Sequence, residues 1–169
     1  MGWIAKLFGA ASKEDLEGLR LDRTYWNWMI EETKNLPQLL KSLHFIVDET
    51  ATMFFEGGNP SRELRSFIEK YAIPEKEKIA RGTIWPKQSV VHIPATKENI
   101  NELAKLAETI SPFELAVHFH VYDDGQVIFE WYDAFTDPIY IYKDIPEEKV
   151  KRFAESIGAK YEKEGEPGS

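Results

Sequence analysis

Residues 112–133, PFELAVHFHVYDDGQVIFEWYD, constrain the fold more than any other part of this 169-residue chain. Two runs that alternate apolar with polar side chains, rich in β-branched and aromatic residues, flank Asp123-Asp124-Gly125. Such a pattern specifies an antiparallel hairpin. A three-residue loop with Gly125 as its left-handed bulge residue sets Val121 opposite Val127, Phe119 opposite Phe129 and Val117 opposite Trp131, which makes one apolar face. The other face then carries His118 beside Glu130, His120 beside Ile128, and Ala116 beside Tyr132. A two-residue Asp124-Gly125 loop shifts the register and puts Glu130 among the apolar residues, so sidedness favours the longer loop.

Around the hairpin lie amphipathic helices. Asn59-Pro60 opens one, with Pro60 at the first helical position and Leu64, Phe67, Ile68 and Tyr71 at i, i+3, i+4, i+7 spacing. Thr96 caps a second whose stripe is Ile100, Leu103, Ala107 and Ile110, ended by Ser111-Pro112. A third begins near Pro146, with Glu147 and Glu148 where the helix dipole favours them, and stops at Gly158. Strands are expected over 50–56, 89–93 and 139–142. Helical crossovers between strands imply a partly parallel sheet, to which the hairpin adds antiparallel pairing. The fold class is α/β or α+β, a mixed β-sheet with helices packed on it.

Ser12–Leu19 and Pro37–Leu43 read as helical, whereas TYWNWMI fits either an aromatic helix or an alternating strand. The expected organisation is an N-terminal, mostly helical segment over 1–45 packed on the body, an α/β core domain over 46–161 and a flexible tail over 162–169.

Composition narrows the function classes. Hydrophobic residues make up 43% and aromatics 13% of the chain, enough to bury a core. A net charge of −8 and a pI near 5.1 argue against nucleic acid as a general partner. With no cysteine there are no disulfides, thiolate metal ligands or Cys nucleophiles, which fits a cytoplasmic location. No stretch approaches the roughly 18 apolar residues of a membrane span, so stable membrane insertion is not expected. The face formed by Trp3, Ile4, Leu7 and Phe8 reads as a terminal helix docking on the body rather than as an interfacial anchor.

Candidate sites are few. His118 and His120 share a strand face, and Glu130 across from them completes a two-His, one-carboxylate set able to hold a divalent metal. His92 joins if its strand is adjacent. A cross-strand His–Glu pair explains the same residues more simply, and no HExxH-type signature supports the metal. The turn Gly57-Gly58-Asn59 offers backbone amides to an anion, although it matches no nucleotide fingerprint and Glu56 opposes a phosphate. The loop Arg81-Gly82-Thr83-Ile84-Trp85 couples a cation to a large aromatic, as recognition surfaces do, but also as a Trp folded over the core does. Asp133 and Asp137 form a carboxylate pair in a turn context. No Ser elbow, P-loop or cofactor fingerprint is present, so no cofactor is expected. The expected function is a non-enzymatic domain that binds a protein partner, with metal chemistry at His118, His120 and Glu130 and anion binding at Gly57-Gly58 as alternatives.

Overall fold

A computed structural model describes residues 17–31 and 35–165. The reading of Trp3–Phe8, and most of that of Ser12–Leu19, lies outside them. In chain order the elements are β1 (Asn27–Ile30), α1 (Leu36–Ser42), β2 (Thr52–Glu56), α2 (Arg62–Tyr71), β3 (Val90–Pro94), α3 (Lys97–Leu106), α4 (Pro112–Leu115), β4 (His118–Asp123), β5 (Gln126–Trp131), β6 (Ile139–Ile141), α5 (Glu147–Ser156) and β7 (Tyr161–Glu164). The strands form one seven-stranded sheet in the order β3-β2-β4-β5-β6-β1-β7. No described helix is long and apolar enough to cross a membrane.

The class read from the sequence holds: helices pack on a single sheet. The expected parallel pairing does not, because every neighbouring pair is antiparallel. The reason lies after α2. The helix carries the chain away from the Glu56 end of β2, bringing Ile73 beside His92. The following segment then returns to that end, where the Gly82 amide meets Glu56. β3 therefore starts beside the end of β2, with Val90 opposite Glu56, and runs against it.

Helix starts follow local chemistry. Ser61 caps α2, its Oγ accepting the Leu64 amide at 3.3 Å, so the helix begins after Pro60 rather than at it. Thr96 caps α3 as expected, and Ser111 with Glu114 makes a reciprocal capping box on α4. Leu64 and Phe67 of α2 are buried, while Ile68 and Tyr71 are half-buried against the core.

The hairpin register differs from the expected one. Asp123 pairs with Gln126, so the loop is the two-residue Asp124-Gly125, both at positive φ (44° and 74°) as a type I′ turn requires. Tyr122 pairs with Val127 and Val121 with Phe129, leaving Ile128 as a bulge. The extra residue restores sidedness that the short loop alone would lose. Phe119, Val121, Phe129 and Trp131 stay in the helix-covered core, and Glu130 stays off it. Val127 crosses to the opposite face with Tyr122 and Phe54, and Val117 lies outside the strand, half-buried. Glu130 faces His120, not His118, which pairs instead with Glu56 on β2.

β1 resolves the second half of the ambiguous TYWNWMI run, Asn27–Ile30, as a strand. It lies inside the sheet, between β6 and β7, so part of the first 45 residues is built into the core. At the other end, Tyr161–Glu164 pairs with β1, and residues 162–164 are strand rather than tail.

Candidate functional site

One face of the sheet packs on the helices through Met53, Phe55, Ile93, Phe119, Phe129 and Ile141. Strand alternation sends Phe54, Glu56, His92, His118, His120, Tyr122 and Glu130 to the other face. All of these are buried. Two irregular segments cover them. Residues 18–26 run across β5 and β6, and residues 73–83 run across β2 and β3. They pair with each other where Leu19 donates to the Lys78 carbonyl at 2.8 Å and Ala80 donates to the Leu19 carbonyl at 2.9 Å. Leu21 and Ile79 from the two segments pack on Phe54, Tyr122 and Val127.

Two buried carboxylates fasten these segments down. Glu130 accepts the Leu21 amide at 2.7 Å and the Arg23 guanidinium at 3.0 Å, and that guanidinium stacks over Tyr140 at 3.6 Å. Glu56 accepts the amides of Gly82 at 2.7 Å and Thr83 at 3.0 Å. A buried carboxylate is tolerated only when its oxygens are hydrogen-bonded in this way. Gly82 must be glycine for a further reason: a Cβ there would lie 2.5 Å from the His118 ring.

His118 is held at both ring nitrogens. Nδ1 accepts the Asp133 amide at 3.2 Å, so in the neutral ring Nε2 carries the proton and donates to Thr83 Oγ1 at 2.8 Å. A ring in that tautomer does not withdraw the Thr83 proton, and the pair is no activated nucleophile. His120 is the opposite case. It stacks on Phe54 (5.5 Å between centroids, 11° between planes) and meets Tyr132 edge-on at 4.8 Å, and neither ring nitrogen has a hydrogen-bond partner. Burial, reinforced by His118 and Arg23, pushes its pKa down to about 3. His92 is lowered as well, by burial, against the opposing pull of Glu75. Tyr132 is raised by burial and by the charge of Glu130.

No protein-family model, curated protein or solved structure matches the chain.

The histidines and Glu130 do share a sheet face, but among the described residues no three His, Asp or Glu side chains are grouped so as to hold an ion. Gly57 and Gly58 serve packing. The Gly57 amide is taken by the Ser89 carbonyl at 2.9 Å, and a Cβ on Gly58 would lie 2.8 Å from the Leu115 carbonyl oxygen. Asn59 is exposed and α2 starts three residues later, at Arg62. Asp133, Ala134 and Phe135 form a left-handed turn, with φ of 52°, 52° and 67°. It is held by Phe135 packing on Trp131 and by the Ala134 amide donating to Val117. Asp137 is raised by burial and by Asp133 beside it.

The remaining candidates converge on one loop. The Arg81 guanidinium donates to the Gln88 carbonyl at 2.6 Å, closing a loop whose other end is fixed to Glu56. From this fastened base Ile84 and Trp85 project outward, 51% and 65% exposed. The tryptophan is thus not folded over the core. Glu56, the anchor, escaped sequence reasoning, although a carboxylate ending the otherwise apolar run TMFFE was its signal.

Proposed function

We propose that this chain is a protein-binding domain and that residues 81–88 are its contact loop. One observation carries the reading. The loop is held by a buried carboxylate, an arginine and a glycine fitted against His118, yet its two largest apolar side chains point to solvent. Ordering a loop costs conformational entropy that a core would repay by burying Trp85. Here the side chain stays out, preorganised as binding hot spots are, with rigid aromatic anchors on a fixed backbone. The two buried carboxylates and His118 support the same reading, since their hydrogen bonds hold the covering segments and the loop.

A photo-reactive residue in place of Ile84, with Trp85 intact, tests this in cells. Discrete protein adducts are expected at position 84, absent from a control at exposed Glu155 on α5 and lost when Trp85→Ala is added. Identical adducts at both positions, or adducts indifferent to Trp85, would refute the proposal.

A further inference from the structure

We infer that the partner of this loop is an acidic protein segment, one whose carboxylates enter the cavity beside the loop while an apolar side chain packs on Ile84 and Trp85. The inference rests on the contact-loop reading above. The cavity has a volume of about 230 Å³ and is walled by Lys78, Arg81 and Lys87 over a floor that includes Phe54. Among the described residues, Glu75 is its one lining carboxylate. Arg81 and Lys87 belong to the loop itself, so the same backbone that projects Trp85 also supplies two of the three cations.

The charge pattern gives this cavity its meaning. The chain carries −8 overall, with 29 acidic against 21 basic residues, and so repels acidic molecules at long range. Among the described residues, three cations line the cavity against one carboxylate, the reverse of the chain's overall balance. Such a reversal on an acidic protein selects an oxyanion and orients it. A free inorganic anion answers the cations but leaves Ile84 and Trp85 exposed. A segment bearing both a carboxylate and a large apolar side chain satisfies both features from one backbone.

The test uses the full chain and a panel of short peptides in a Gly-Ser background, carrying none, one or several Glu with or without a neighbouring Leu-Phe pair. Binding is measured by fluorescence anisotropy at low and high salt, with inorganic phosphate and poly-glutamate as further probes. Peptides with both features should bind, and affinity should fall with added salt. Lys78→Glu with Lys87→Glu should weaken binding roughly tenfold or more, while Glu75→Gln should tighten it about two- to fivefold. All three side chains are exposed, so the fold tolerates the changes, and the opposite sign at Glu75 cannot come from unfolding. Binding that needs Trp85 but ignores all the charge variants overturns the acidic partner and leaves the contact loop standing. Peptide binding that ignores Trp85→Ala counts against the contact loop itself. Phosphate or poly-glutamate binding as well as the mixed peptides, with the same charge dependence, would make the occupant a free anion, and a panel without any binder also overturns the inference.

Discussion

His120 is walled in by Phe54 and Tyr132 and has no hydrogen bond to stabilise a charge on its ring. In the folded protein it accepts a proton only near pH 3, whereas in the unfolded chain it does so near 6.5. Between those values the unfolded state binds the additional proton, so stability is full above the unfolded pKa and is lost as the pH falls towards the folded one. His92, also lowered, adds to the loss with the same sign. From pH 7 to pH 5 the His120 contribution amounts to about 2 kcal/mol. His120→Phe keeps the ring stack and removes the titration. Urea denaturation at the two pH values should show a distinctly smaller acid loss for the variant than for the parent. Equal losses would mean that His120 is protonated in the folded state or reached by solvent.

At the scale of elements, the β4–β5 hairpin has a turn that demands left-handed backbone and a bulge that sets which residues share a face. A Cβ on Gly125 would touch nothing within 4 Å, so Gly125→Ala isolates the backbone cost of φ 74°. That cost is about 1 kcal/mol, which lowers the melting temperature of a chain of this size by about 2–4 °C. An unchanged melting temperature would contradict the two-residue turn. The local determinants of such elements were legible in the sequence: the Thr96 cap, the apolar stripe of α2, the strand ending at Pro94, and a turn at Asp123-Asp124-Gly125, though its length is two residues rather than the three expected. The bulge was not. It exists because Val127 is needed beside Tyr122 and Phe54 under Leu21 and Ile79, and those partners come from segments far away in the chain. Antiparallel β3 was hidden for the same reason, since the return path of residues 73–83 is fixed by Glu56. At the candidate site, alternation correctly put His118, His120 and Glu130 on one face. Their partners depended on the bulge and on β2, which no spacing within the hairpin encodes.

For the molecule as a whole, the sheet separates two layers of unlike construction. The helix side is a continuous apolar core, while the other side is closed by two irregular segments that hold on through a few buried polar contacts. Residues 18–26 are tied to Glu130 and residues 73–83 to Glu56, and the two segments hydrogen-bond to each other at Leu19 and Ala80. Neither can lift away without breaking the shared Leu19–Ala80 pairing and the packing of Leu21 with Ile79 on Phe54. They should therefore open as one unit, with an opening free energy below that of global unfolding. Native-state hydrogen exchange reads this directly. The amides of Leu19, Ala80, Gly82 and Thr83 should share one opening free energy, smaller than that of Phe119 and Val121 in the central strand. Glu130→Ala removes the acceptor of the Leu21 amide and of Arg23, at a cost of about 1–3 kcal/mol. Though Ala80 and Gly82 do not touch Glu130, their protection should fall by as much as that of Leu19. Should Ala80 and Gly82 keep their parental protection while Leu19 loses its own, the two segments open independently, and the order of the contact loop does not depend on Glu130.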